Sequence, residues 1–370
     1  MVKSWHIWSF PNNIYILLKR DVHSYFFNEM FNEYGGKRPY ARFLGIYQNH
    51  LKSYWKRYFK KNGKIYVQYI PLWVFKESCK TKKLKTLIEK GIDKIRVRAG
   101  TPLDYNKLRL PIKESPEFYR VVAHLIGDGY AGKIKVPYYA NTCKTLRKQF
   151  KKDLQTFGKI KTYERTPNTT PCIMFPKLIA DILRRILDME FTRPSKLPKS
   201  IFSASKGCQS AFLQALFDDE GTASNNITIG MINPNLVGEI KRLIESLDIK
   251  TGKISVRKIN HKNYGYYFSI CEKDVGKFQD KIGFYHPNKQ KRLNIKLKIK
   301  ERNYIRRTRP LDWTRKRIID LLKIRPRTTI ELSNNLLLTI GGVYNHLNYL
   351  ERDNKIQRSG YKNKCLWLIN

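Results

Sequence analysis

A chain of 370 residues with 73 Lys and Arg against 30 Asp and Glu carries a formal charge of +43. Hydrophobic residues at 41% and aromatics at 13% exclude a disordered basic tail, because such a chain buries enough apolar surface to fold. A folded chain this basic repels itself and calls for a polyanion, nucleic acid first and an anionic membrane surface second.

No apolar run approaches the roughly 18 residues of a membrane span, and the start, MVKSWHIWSFPNN, lacks the apolar core of a signal peptide. At roughly 100–200 residues per domain, two to four domains are expected. The six cysteines, at 79, 143, 172, 208, 271 and 365, stand at least 29 residues apart, which excludes the close ligand pairs of a zinc ribbon or finger. They read as reduced, mostly buried cysteines of an intracellular protein.

In the first segment, residues 1–110, Val22, Tyr25, Phe26, Met30 and Phe31 recur at helical spacing, and Gly35-Gly36 ends that helix. A short helix follows over PYARFLGI, with Pro39 at its start and Gly45 at its end. QNHLKSYWKRYFKK (48–61) then reads as one amphipathic basic helix, apolar through Leu51, Tyr54, Trp55 and Tyr58. Helix, glycine turn and basic helix follow the grammar of a helix-turn-helix, which makes Lys52, Lys56 and Arg57 candidate DNA contacts; a small helical bundle with a solvated basic face is the alternative. Lys80–Arg109 is expected to be a basic connector.

The middle segment repeats itself. FYRVVAHLIGDGYAG (118–132) and SAFLQALFDDEGTAS (210–224) lie 92 residues apart, and both are apolar helical runs ending in an acid followed by glycine: Asp128-Gly129 and Glu220-Gly221. Each glycine reads as a helix C-cap. A carboxylate just before it is unfavourable, because the helix C-terminus carries partial negative charge, so a nearby cation is expected at both ends. Small residues on one face, Ala123 and Gly127 in the first run and Ala215 in the second, suit close helix packing that brings Asp128 and Glu220 together. Two such acids invite a divalent metal, and hard oxygen ligands favour Mg²⁺.

The same downstream pattern follows each run. After Gly129 come strand KIKVPYYA, helix LRKQFKKDLQTF, strands KIKTYER and PCIMF, and helix PKLIADILRRIL. After Gly221 come strand NITIGM, helix PNLVGEIKRLIESL, strands GKISVRKI and YGYYFSIC, and helix KDVGKFQDKIGF. An α+β unit with antiparallel strands under helices thus occurs twice, over 111–205 and 206–300.

The last segment, 310–370, reads as three helices, DWTRKRIIDLLKIR, TTIELSNNLL with Thr328 or Thr329 as N-cap, and IGGVYNHLNYLERDN. A hairpin, KIQRSGYKNKCLWLIN, follows them. This order resembles a winged helix-turn-helix, with Tyr344 and Asn345 facing the groove and Arg358 and Lys362 on the wing.

The repeated segments resemble the LAGLIDADG family of homing endonucleases, with the motifs at Val121–Gly129 (VVAHLIGDG) and Leu213–Gly221 (LQALFDDEG); IGFYHPNKQKRL resembles the family's close of a repeat. The first motif departs from the pattern at His124 and Ile126, and the second carries Asp219 where a small residue is usual. The resemblance, over roughly 115–295, implies tandem αββαββα repeats with pseudo-twofold saddle sheets in a monomer that grips double-stranded DNA. Asp128 and Glu220, beside Gly127 and Asp219, would hold Mg²⁺, for which Mn²⁺ or Ca²⁺ could substitute in binding. Lys289 and Lys196 would be the catalytic lysines. Strand residues facing DNA would be Lys133, Lys135, Tyr138, Lys161, Tyr163 and Arg165 in the first repeat, and Asn226, Thr228, Arg257, Lys258 and Tyr266 in the second.

The function expected is a site-specific, metal-dependent DNA endonuclease. Alternatives are a catalytically silent regulator on the same scaffold, or a maturase binding intron RNA. Met1 in place of Cys or Ser, and Ile369 before Asn370, weigh against intein self-splicing. The setting expected is cytoplasmic in a prokaryote, archaeal above all, or organellar, without secretion or membrane attachment.

Overall fold

A computed structural model describes residues 3–61, 63–98, 102–132, 135–166, 169–258, 264–305, 311–360 and 365–370. Lys133 and Lys362 lie outside these residues. The chain divides into two units, Met1–Phe212 and Leu213–Asn370, with the division inside the helix Lys206–Glu220.

The first unit opens with an antiparallel sheet in the order Ile70–Pro71, Ile14–Leu18, Ile92–Val97, Leu103–Asp104. Its centre is apolar: Ile16 and Ile95 are cross-strand partners and both are fully buried. The helices Arg20–Glu33, Lys37–Phe43, Gln48–Trp55, Leu72–Ser78 and Lys82–Lys90 contribute Phe26, Met30, Tyr40, Leu51, Phe75 and Ile88 to its core. This is not the all-helical segment expected. Lys80–Arg109, read as a connector, supplies the helix Lys82–Lys90 and the inner strand Ile92–Val97. In IDKIRV, Asp, Lys and Arg separate the buried Ile92, Ile95 and Val97, so charge masks a core strand.

The basic helix expected over 48–61 ends at Trp55. Arg57 takes a left-handed turn (φ 55°), and the chain continues as a hairpin, Tyr58–Lys61 with Lys64–Val67. The Asn62-Gly63 dipeptide and the β-branched Ile65 and Val67 favour a two-residue hairpin over another helical turn.

The strand Ser4–Trp5 pairs with Ile112–Lys113 and seats Trp5 on Phe118, ring centroids 5.3 Å apart. The first motif helix, Pro116–Ile126, begins there with Ser115 as N-cap, its hydroxyl accepting from Phe118 N (3.2 Å), and Pro116 in the first turn. From Phe118 to Ile126 every residue but Arg120 is buried. Arg120 forms a bidentate pair with the fully buried Asp153 of the helix Lys144–Asp153 (2.8 and 2.9 Å), and Gln149 donates to the same carboxylate. The repeat continues through Gly129–Tyr130, Tyr138–Ala140, the helix Lys144–Asp153, Tyr163–Arg165, Cys172–Met174 and the helix Lys177–Leu187. Numbered along the repeat, its strands lie in the spatial order 1-2-4-3, all antiparallel.

The second unit holds the same design. The motif helix ending at Glu220 is followed by Gly221–Ala223, Ile227–Met231, the helix Pro234–Glu245, Ser255–Lys258, Tyr264–Ser269 and the helix Val275–Lys281. Its sheet has the same 1-2-4-3 order. The αββαββα unit is therefore present twice. Each repeat has a short strand at the motif glycine itself, before the first strand expected from the sequence.

Beyond the helix Pro287–Ile305, three helices, Leu311–Ile324, Thr329–Leu336 and Ile340–Arg352, surround one core with a hairpin, Ile356–Ser359 and Leu366–Ile369. Thr328 caps the second of these helices in a reciprocal capping box with Glu331. Trp367, 1% exposed, pins the hairpin by donating its indole N–H to Thr329 Oγ1 (3.0 Å). Among the described residues no helix is long and apolar enough to cross a membrane.

Candidate nucleic-acid interface and catalytic site

Both motif helices end against the first strand of their own sheets, and the two ends share one steric signature. A Cβ on Gly129 would lie 2.5 Å from Leu125 Cα and 2.8 Å from His124 O. A Cβ on Gly221 would lie 2.6 Å from Phe217 O and 3.0 Å from Phe217 Cα. Neither glycine has positive φ, so the C-cap expectation is corrected. They are glycines because the emerging strand folds back onto the helix turn four residues earlier, leaving no room for a methyl group.

That fold-back holds the preceding acid at the junction. Asp128 is exposed, accepts Asn141 Nδ2 on Oδ2 (2.8 Å), and gives its backbone carbonyl to Ala140 N. Gly127 closes the helix by donating to Ala123 O. At the second junction Asp219 and Glu220 are half-buried, whereas Asp218 is 2% exposed. Asp218 accepts Tyr285 N (3.0 Å) and His286 N (2.8 Å), tying the closing loop of the repeat to its motif helix.

Lys289 donates to the carbonyls of Phe217 (3.1 Å), Asp218 (2.5 Å) and Asp219 (3.4 Å), the last turn of the second motif helix. Its ammonium thus supplies the positive charge that a carboxylate at a helix C-terminus calls for. Burial, and then the Lys289 ammonium, hold the neighbouring His286 imidazole below its ordinary pKa. Lys196 has a different neighbour, Asp188, at 3.8 Å.

Carboxylates beside backbone carbonyls are hard oxygen donors of the kind Mg²⁺ takes, commonly one or two per ion with the rest of its shell from water and phosphate. Among the described residues no group of three or more His, Cys, Asp or Glu is placed to hold a metal.

Sheet register decides which strand residues face away from the helices, since side chains alternate and directly paired residues share a face. In the first repeat the fully buried Tyr139 pairs with Ile173 on the helix side. The opposite face carries Tyr130, Tyr138, Met174 and Tyr163 in one cross-strand row, Tyr130 stacked on Tyr138 at 5.5 Å and Tyr163 65% exposed. Tyr138, Tyr163 and Arg165 therefore stand on the open face, with Lys135 and Lys161 exposed outside the strands.

In the second repeat Ile229 and Phe268 mark the helix side. Tyr266 pairs with Met231 and with Val256, and Lys258 with Tyr264, so Tyr266 and Lys258 share that side; their assignment to the DNA face is corrected. The open face instead presents Thr222, Thr228, Ser269, Tyr267, Ser255 and Arg257, with the Arg257 guanidinium 4.9 Å from the Tyr267 ring centroid. Thr228 and Ser269 share a hydrogen bond (3.2 Å), and Asn226 is exposed in the turn before them. Tyr130, Met174, Thr222, Tyr267 and Ser269 were missed from sequence. Tyr267 and Ser269 flank the buried Phe268 and so face away from it, whereas Tyr130, Met174 and Thr222 lie on other strands whose faces follow only from the pairing.

Elsewhere, Lys52 and Lys56 are exposed at the end of the helix Gln48–Trp55, whereas Arg57 donates to the Leu18 carbonyl and stands over the Tyr58 ring. Arg57 is therefore a brace for the hairpin base rather than a groove-facing side chain of a helix. Tyr344 and Asn345 are exposed on the helix Ile340–Arg352, and Arg358 pairs with Glu351 (3.2 Å).

No family model matches the chain. Glutamine–fructose-6-phosphate aminotransferase [isomerizing] of Methanocaldococcus jannaschii is 23% identical over 299 residues, which is 75% of this chain and 27% of that protein. The chain thus spans about a quarter of that relative's length. Among solved structures, I-DmoI in complex with DNA and Mn superposes with a TM-score of 0.36 at 16% identity, covering 45% of this chain and 96% of that one. The homing endonuclease I-WcaI bound to its DNA recognition sequence gives 0.31 at 17% identity, over 46% of this chain and 81% of that one. Full-length DUF199/WhiA from Thermatoga maritima gives 0.34 at 13% identity, over 65% and 92%.

Proposed function

We propose that the protein is a double-stranded DNA endonuclease of the LAGLIDADG type, with Asp128 and Glu220 as its metal-binding acids. The observation carrying this reading is the duplicated junction. Twice the chain places an acid and a sterically obligatory glycine where an apolar helix meets its sheet, then lays the same 1-2-4-3 antiparallel sheet beyond it. Structural economy explains one acid-glycine turn; it does not explain placing a carboxylate at the helix–sheet junction in both copies. The net charge of +43 supplies the attraction to phosphate.

In this reading Asp128 and Glu220 hold divalent cation, with Asn141 orienting Asp128 and Lys289 fixing the last turn from which Glu220 projects. A divalent cation bound there supplies Lewis-acid stabilisation of charge on the phosphate and activates water for attack. The open sheet faces read the groove: the first through its tyrosines and Arg165, the second through hydroxyls, Tyr267 and Arg257. The C-terminal helices and hairpin act as a winged helix-turn-helix that adds phosphate contacts and presents Tyr344 and Asn345 to base edges. A monomer suffices, since one chain carries both repeats.

The test is incubation of the wild-type protein with Mg²⁺ and its own flanking genomic DNA, joined across any intervening insertion. Discrete double-strand breaks abolished by chelator support the reading; uncut DNA under conditions of saturated binding refutes it.

A further inference from the structure

We infer that the hairpin Tyr58–Lys61/Lys64–Val67 of the N-terminal segment is a second nucleic-acid contact, a two-stranded ribbon that enters the major groove of duplex DNA. The inference rests on the DNA-binding reading above.

The hairpin forms a two-stranded sheet of its own, apart from the four-stranded sheet beside it. Every residue of Lys64–Val67 is exposed, including Ile65 at 74%, Tyr66 at 42% and Val67 at 39%; Tyr58, opposite Val67, is 46% exposed. A strand lying on a core alternates buried and exposed residues; this one leaves Ile65 and Val67 on one face and Lys64 and Tyr66 on the other, all open. A lone hairpin is marginally stable in water, so keeping apolar residues exposed on one marks a docking surface. Its base is nonetheless braced, by Arg57 on the Leu18 carbonyl and by Gln68 N donating to Arg57 O (2.7 Å).

Charge names the occupant. Residues 34–76 contain ten Lys and Arg and no Asp or Glu. Three of the ten, Lys60, Lys61 and Lys64, occupy the hairpin, with Lys60 paired to Ile65 and Lys61 to Lys64 across it. Apolar residues flanked by lysines, with no acid nearby, fit a partner with dense negative charge outside and apolar base edges within. The B-DNA major groove, about 12 Å wide, admits a two-stranded ribbon; the minor groove, about 6 Å wide, does not, and neither does the deep, narrow major groove of A-form RNA.

The experiment measures affinity for a 30-base-pair duplex of mixed sequence across a salt series, using the full chain. Replacing all three lysines (Lys60→Ala, Lys61→Ala, Lys64→Ala) should flatten the log–log salt slope by roughly 2 to 3 and weaken binding about ten- to a hundredfold near 0.1 M salt. The corresponding Lys→Arg triple variant should restore both. Ile65→Glu, at a site open enough to accept any side chain, should weaken binding without changing the unfolding midpoint. On a duplex whose major groove is filled by glucosylated 5-hydroxymethylcytosine, the difference between wild type and the Ala variant should vanish.

Equal salt slopes for wild type and Ala variant overturn the inference, as does a difference that persists on the glucosylated duplex. Loss of binding to phosphatidylserine vesicles but not to DNA would make the hairpin a membrane contact instead, and also overturns it. Wild-type protein that fails to bind duplex DNA at all overturns the DNA-binding reading itself, and this inference with it.

Discussion

Adding one methyl group at Gly221 should damage the second repeat far more than its size suggests. In Gly221→Ala the new Cβ would sit 2.6 Å from Phe217 O, 2.7 Å from Phe217 Cδ1 and 3.0 Å from Phe217 Cα. Two of these atoms belong to the backbone of the motif helix, so rotation of a side chain cannot relieve the contact; the strand Gly221–Ala223 must lift from the helix that positions Glu220. Overpacking of this kind costs about 1–3 kcal/mol, and backbone obstruction places Gly221→Ala near about 3. For a unit of this size that is a fall in melting temperature of roughly 6–12 °C. Gly129→Ala meets Leu125 Cα at 2.5 Å and should behave alike. The control is Gly238→Ala, inside the helix Pro234–Glu245 with nothing within 4 Å of its Cβ, which should stabilise by about 0.5–1 kcal/mol. Differential scanning calorimetry of the three variants decides. A Gly221→Ala protein melting within a degree of wild type, or above it, would refute the steric account of both motif glycines.

Arg120→Ala strands the fully buried Asp153 carboxylate and should cost about 3–5 kcal/mol in urea unfolding, with Arg120→Lys a poor rescue because one ammonium cannot replace the bidentate fork. In the C-terminal helices, the Thr328 backbone N–H and then the Arg325 guanidinium hold Glu331 below its ordinary pKa. Its contribution to stability is therefore present at pH above the ordinary glutamate pKa and is lost as pH falls through the lowered one. Thr328→Ala should remove about 1 kcal/mol and flatten that acid step, as read by thermal melts across pH. Affinity for duplex DNA should fall steeply with salt, with a log–log slope of roughly −9 for about ten phosphate contacts; a nearly flat response would remove nucleic acid as the main partner.

The repeats were legible in the sequence because each element announces itself locally. FYRVVAHLIGDG and SAFLQALFDDEG are apolar helical runs that each reach an acid and a glycine, and the same downstream order recurs 92 residues later. The C-terminal helices were legible for the same reason: Thr328 and Glu331 at capping-box spacing mark a boundary that the structure keeps. What was misread depended on partners distant in sequence. Ile92–Val97 is charged at alternate points, and only its pairing with Ile14–Leu18 shows it to be an inner strand. Tyr266 and Tyr267 are adjacent tyrosines whose opposite faces follow from the burial of Phe268, and a one-residue error exchanges them. Gly129 and Gly221 were recognised as required, but for their backbone angles; the actual reason, a strand returning onto its own helix, is tertiary. Arg57 looked like one more cation of a basic helix until the Leu18 carbonyl appeared beside it.

The claim that Asp128 and Glu220 are metal-binding acids of a nuclease is tested most directly by Asp128→Asn and Glu220→Gln. Cleavage of the rejoined genomic locus in Mg²⁺ is measured beside DNA binding in chelator. Each substitution keeps shape while removing a negative ligand. The account predicts that cleavage of at least one strand disappears in each variant, while metal-free binding is kept or tightened, because a carboxylate facing phosphate repels it until a cation arrives. Wild-type protein that binds the locus without cutting it in Mg²⁺, with both variants binding as wild type does, would contradict the account and leave a DNA-binding scaffold without nuclease chemistry.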